Sequence, residues 1–189
     1  QRAWCALAVF PGTFDSTAAT AVWEAETETA QDWLDELVRY SLVEWNETAD
    51  RAHLHDLARL FADKRLGDAA RLDSRRRHAA YYASVIRRAR GFYVQGGDEV
   101  LRGLGLFDLE WANIEAGQGW AAEHAEADDT AAALCSDYPD AGIYVLHLRQ
   151  HPRERIQWLD AALAAARRLR RRGAEGMHLG NLGNAYESL

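Results

Sequence analysis

The residue types in this chain that could do chemistry are histidines, carboxylates, arginines and two thiols. His53-x-His55-Asp56 puts two imidazoles on one face of a strand-like segment, next to a carboxylate. His147 and His151 would share one face of an unbroken helix. Either histidine pair could begin a metal site, but neither has a third ligand or an H-E-x-x-H glutamate nearby, so both read as surface histidines. Asp128-Asp129 and the Glu24, Glu26, Glu28 run read as solvated carboxylates. Cys5 and Cys135 lie in apolar or Ala-rich surroundings and read as buried small side chains. Arg75-Arg76-Arg77 and Arg167-Arg168 with Arg170-Arg171-Arg172 could bind an acidic partner or RNA, but consecutive arginines on a helix point in several directions and most read as solvated, which leaves the second cluster as the candidate partner surface. No G-x-S-x-G or other nucleophile motif is present.

His55 is the strongest single candidate. An imidazole N–H at the start of a helix is a suitable donor to an anion. Asp56 beside it is expected to cap the helix that follows.

Composition bounds the classes that remain. The 189 residues carry 22 Lys+Arg and 29 Asp+Glu, a formal net charge of -7. Seven Trp and 48% hydrophobic residues suit a folded core and argue against disorder. No apolar run reaches the roughly 18–20 residues of a membrane span, and no signal peptide is visible. Two distant cysteines make no disulfide scaffold, so a reducing cytoplasm is expected. Acidic residues concentrate in the first third, a poor match for nucleic acid. The chain opens on Gln1, has Met177 as its only methionine and stops at Leu189 within a periodic segment, so a piece of a longer protein is expected.

The elements that must position these residues read as helix, helix, helix, hairpin, helix over residues 1–66. Trp4, Leu7 and Ala8 share a helical face that ends at Pro11-Gly12. Asp15 or Ser16 can cap a helix running to Trp23, and Thr29 opens a third whose face is Trp33, Leu34, Leu37 and Val38. Leu42 to Trp45 and Ala52 to His55 read as strands around a turn at 46–50. Leu57, Leu60 and Phe61 then form the apolar stripe of a fourth helix. Three helices and a hairpin make the order of a winged helix-turn-helix.

Beyond Gly67 the helical period dominates. Tyr82, Val85, Ile86, Ala89 and Tyr93 make one stripe, ended by Gln95-Gly96-Gly97; Phe107, Trp111, Ile114 and Gln118 make another. Asp137-Tyr138-Pro139 is expected to interrupt the helix over 131–150, Pro152 to open the next, and Gly173 to Gly176 to turn into a last helix near Met177. The expected fold is mainly α: a winged-helix domain with a small β-hairpin at 1–66, a helical linker domain at 67–135, and helical hairpins at 136–189.

Two resemblances sharpen this reading. Leu179, Leu182-Gly183 and Tyr186 resemble the opening of a tetratricopeptide repeat, W-x₂-L-G-x₂-Y, with Leu in place of Trp. Trp158, Leu159, Ala162 and Leu163 resemble the second helix of a preceding repeat. The first helix of that repeat, about 140–150, departs from the pattern at Gly142 and Leu146. The resemblance implies that Gly183 allows close helix approach and that Leu182 and Tyr186 pack against Leu159 and Leu163.

His53-Leu54-His55-Asp56 followed by Leu57-Ala58-Arg59-Leu60-Phe61 resembles the "MHD" segment of NB-ARC proteins, with Leu54 for the Met. These belong to the STAND class of signalling ATPases. Leu7-Ala8-Val9-Phe10-Pro11 resembles the "L-x-x-F-P" start of their winged-helix domain. The repeat-like end is similar to the bacterial branch with tetratricopeptide sensors. The resemblance implies that His55 reaches the β-phosphate of bound ADP in the intact protein, that Asp56 supports the motif, and that ADP or ATP with Mg belongs to an upstream ATPase core. It also implies a protein or ligand partner at the repeats. The chain itself is expected to be non-catalytic, because its single lysine, Lys64, follows Ala62-Asp63 rather than the glycine of a P-loop. The alternatives are a DNA-binding winged-helix regulator and a plain helical-repeat scaffold. The first is disfavoured by Asp32, Asp35 and Glu36 on the would-be recognition helix, against Arg39 alone.

Overall fold

Local capping chemistry sets many of the element boundaries in the computed structural model, which describes residues 1–189. Trp4, Cys5 and Ala6 are buried in α1 (Arg2–Ala6), which tightens into a 3₁₀ turn (Leu7–Val9) and ends in extended backbone at Phe10. Asp15 caps α2 (Ser16–Trp23) by accepting from the Ala18 N–H at 2.7 Å. α3 (Thr27–Arg39) starts two residues before Thr29 and has no side-chain cap. Of its expected buried face, Leu34 is buried, Leu37 and Val38 are half-buried, and Trp33 is exposed with its ring edge-on to Trp23.

The hairpin pairs β1 (Glu44–Asn46) with β2 (Arg51–His53) antiparallel, with Trp45 opposite Ala52. The turn is closed by the Ala49 N–H bonding the Asn46 side chain at 3.0 Å, and Asp50 takes φ 54°. Phe14 adds a third, single-residue rung: its N–H and C=O bond Ala52 at 2.9 and 2.8 Å. α4 (Asp56–Arg65) follows.

The chain separates into two compact units, residues 1–81 and 82–189. α5 (Asp68–Gln95) contributes to the first unit through Ser74, His78 and Ala79, all buried. His78 stands edge-on to Phe10, and Arg77 ties back to the Val22 carbonyl and the Glu24 carboxylate. Phe10 and Phe14 stack at 4.2 Å in the middle of this unit.

The second unit is all helix. Gly96 and Gly97, at φ 78° and 59°, end α5 in a backbone conformation that side chains disfavour. α6 (Glu99–His124) runs through Gly117 and Gly119 without a break. At Gly103 it meets α5 so closely that a Cβ would lie 2.5 Å from the Ala89 carbonyl oxygen. α7 (Asp129–Ala141) passes through Pro139, and the break falls at Gly142, where a Cβ would meet the Ile86 side chain. The expected interruption is therefore displaced by three residues, to the point where packing demands a residue without a side chain. α8 (Ile143–Arg149), α9 (Pro152–Arg168) and α10 (Arg172–Glu187) complete the unit. Pro152 opens α9 as expected. The last turn lies at Leu169–Arg171, with Arg170 at φ 56°, so α10 begins before the expected Gly173–Gly176 turn.

α10 is tied to α7 by a buried pair: Ser136 Oγ lies 3.1 Å from His178 Nε2. Burial lowers the His178 pKa below its ordinary 6.5; Asp140 and Asp137 pull it up, and Arg171 pushes it down further. The unfolded chain therefore takes a proton that the folded one refuses. The stability of the second unit is complete above about pH 6.5 and falls below it, by at most about 1.4 kcal/mol per pH unit. Thermal melts of wild type and His178→Gln between pH 7.5 and 5.5 measure it. A smaller loss in the variant is expected; equal losses would assign the acid sensitivity elsewhere.

Candidate functional site

The site around His55 is built by three neighbouring features. β2 delivers the chain to Leu54, which is buried and anchors the junction. His55 is then itself the N-cap of α4: its Nδ1 accepts the Leu57 N–H at 3.3 Å. Asp56, expected to be the cap, is instead the first helical residue, and its exposed carboxylate pairs with Arg59 at 3.6 Å. The difference follows from where the strand ends. β2 stops at His53, so the extended residue just before the helix is His55, and an N-cap needs that backbone.

The cap also sets the ring's chemistry. A nitrogen that accepts a hydrogen bond carries no proton, so the neutral imidazole holds its hydrogen on Nε2. His55 is exposed, and its Nε2–H is left as a donor toward solvent at the positive end of α4. His53 faces Glu44 across the hairpin, with Nδ1 3.5 Å from the carboxylate.

The stripe expected to bury α4 does not do so. Leu57 is 72% exposed, Leu60 53% and Phe61 50%; of α4 only Ala62 is buried. Phe61 touches Trp4 at 6.1 Å and lies under the Arg65 guanidinium, but most of the stripe is open beside His55. Its helical spacing was legible in the sequence, whereas its outward direction was not.

At the other end, α9 and α10 form a hairpin whose core is Ile156, Leu159, Leu163, Leu182 and Ala185. Leu182 thus meets Leu159 and Leu163. Gly183 has open space where a Cβ would stand, so no close approach uses it. Tyr186 is 58% exposed, and Ala185 occupies the inward position.

The remaining candidates have local roles. His151 caps α9, accepting from the Arg153 N–H at 3.2 Å, while His147 lies on α8 against Arg155. A helix break at Gln150 separates the two histidines. No group of three or more His, Cys, Asp or Glu converges as a metal site would require. Asp128 caps α7 through the Ala131 N–H at 2.9 Å. Cys5 and Cys135 are buried free thiols, and burial pushes the Cys135 pKa up to about 11. The arginine clusters are largely paired within the chain: Arg75 with Asp63, Arg76 with Asp73, Arg167 with Glu175, Arg168 with Asp129 and Arg171 with Asp137. No helix is long and apolar enough to cross a membrane.

The fold and site together define a mainly α protein in which a small unit of helices with one hairpin presents a histidine beside an uncovered apolar helix face. Comparison with protein-family models, curated proteins and solved structures finds no match to this chain.

Proposed function

We propose that this chain is the non-catalytic regulatory part of a STAND-type signalling ATPase, acting in the cytoplasm. A winged-helix unit would report the nucleotide state of an ATPase core to a repeat-type sensor. The observation that carries this reading is the pairing of the His55 Nε2–H donor with the open Leu57, Leu60 and Phe61 face on the same helix. An uncovered apolar stripe of that kind marks a surface that another protein part covers. A core docked there would bring an ADP phosphate to His55. The order of helix, single-residue strand, two helices and hairpin in the first unit further supports a winged helix. The nucleotide and its Mg would be held by the core, which lies outside these 189 residues, and the helical hairpins near the end would meet a protein or ligand signal. Binding that differs between the closed and open states would shift their populations.

A DNA-reading role fits the charge less well. Asp32, Asp35 and Glu36 are all exposed on α3 and oppose phosphate. A plain scaffold would leave the His55 donor without a task.

The test is His55→Ala in the longer protein. A charge-assisted bond to a phosphate contributes about 1.5–3 kcal/mol. ADP release should therefore accelerate by about 10–150-fold, with more oligomer formed. The 189-residue chain carrying the same change should lose only the cap, about 0.5–1 kcal/mol by denaturation. Unchanged ADP release would remove the sensing role and leave His55 as a helix cap.

A further inference from the structure

Within the second unit, α7, α8, α9 and α10 with Tyr93 of α5 line a partly open cavity of about 240 Å³. Its wall is mostly apolar and aromatic, including Ile143, Trp158 and Leu159, with Tyr93 and Tyr144 stacked at 6.0 Å. Two polar side chains on this wall do not have what burial requires. Gln150 is 6% exposed, and neither its Oε1 nor its Nε2 has a hydrogen-bond partner. Arg155 is 8% exposed, and its side-chain contacts are His147 Nδ1 and, at 3.3 Å, Ser188 Oγ. No carboxylate pairs with it. Burial lowers its pKa below the ordinary arginine range.

Each deficit has a chemical complement. A buried guanidinium without a counter-ion calls for a carboxylate, which can take its free N–H groups in pairs. A buried primary amide with both ends open calls for one acceptor and one donor, as a second amide offers. Aromatic and aliphatic walls call for an apolar side chain of modest size. We infer that this cavity binds a small N-acyl amino acid with an apolar side chain, its carboxylate on Arg155 and its amide on Gln150. The site belongs to the second unit alone and does not depend on the nucleotide reading.

Calorimetric titration of the full 189-residue chain with N-acetyl-L-phenylalanine tests this, with two relatives as controls. N-acetyl-L-phenylalaninamide lacks the carboxylate, and 3-phenylpropionate lacks the amide. The expected result is saturable binding with a Kd of about 1 mM or tighter, weakened about tenfold or more in each relative. Arg155→Met should abolish the preference for the carboxylate. Gln150→Leu is the more informative variant. It removes an unpartnered buried amide, so the melting temperature should hold or rise, while N-acetyl-L-phenylalanine binding weakens about tenfold and 3-phenylpropionate binding is unchanged. Absence of saturable binding by the acyl amino acid would overturn the proposal and assign the Gln150 amide to solvent. Equal binding of all three compounds, or binding indifferent to Gln150→Leu, would overturn it as well.

Discussion

Phe14→Ala is expected to lower the stability of residues 1–81 by about 3–5 kcal/mol, the range for emptying a buried aromatic position. Phe14 is wholly buried and Phe10, stacked on it, is 2% exposed. The ring holds more than its own area. The Phe14 backbone N–H and C=O, which the substitution keeps, both pair with Ala52, so the packed ring steadies the loop before α2 against the hairpin that leads to His55. Single domains are stable by only about 5–15 kcal/mol, so this loss is a large share. Denaturant unfolding measures the total, and amide exchange at Phe14 and Ala52 locates it. Tyr40→Ala, at a site 62% exposed, is the matched control and should change stability by no more than about 0.5 kcal/mol. A cost for Phe14→Ala near that of the control would mean that the hairpin is held by something else.

Trp158→Ala should cost the second unit a similar amount, about 3–5 kcal/mol. Trp158 is 8% exposed on α9. It stacks on Trp111 of α6 with centroids 5.7 Å apart and planes at 15°, and stands edge-on to Tyr138 of α7 at 6.1 Å. One side chain thus joins three helices. Aromatic pairs of this geometry contribute about 0.5–1.5 kcal/mol beyond area burial. A double-mutant cycle with Trp111→Ala should return a coupling in that range. Trp158→Phe, which keeps most of the apolar volume, should lose clearly less. Additive single losses would show the rings to be neighbours without specific contact.

Much of the local architecture was legible from residue types alone. Asp15 at a cap, Pro152 at a helix start, Gly96-Gly97 at a helix end and the strand–turn–strand around Asn46 to Asp50 each follow from backbone preferences. Those preferences act within a few residues and need no distant partner. The mainly α fold with one small hairpin follows from them together with the 3.6-residue period.

What the period cannot state is which way a stripe faces, or what lies opposite. Leu57, Leu60 and Phe61 have the spacing of a core face, yet they are largely open: Ala62 is the buried residue of α4, and of the stripe Phe61 reaches only the edge of α1 at Trp4. Leu182 and Tyr186 belong to one pattern, but only Leu182 finds the cluster on α9, and Ala185 takes the inward place. Pro139 looked like a helix breaker and is tolerated, while Gly142 breaks the helix because Ile86 crowds it from α5. The arginine runs looked like a free cationic surface until packing brought Asp129 and Asp137 to Arg168 and Arg171 from over thirty residues away. Gln150 and Arg155 carried no motif at all. Their unmet hydrogen bonds and charge arise only when α7 to α10 close around them, since burial is a property of the assembled helices and not of any segment. Sequence determined the elements, their caps and the phase of each apolar face. Tertiary structure decided which faces were covered and which polar groups were left to be satisfied, because both depend on contacts between residues far apart in the chain.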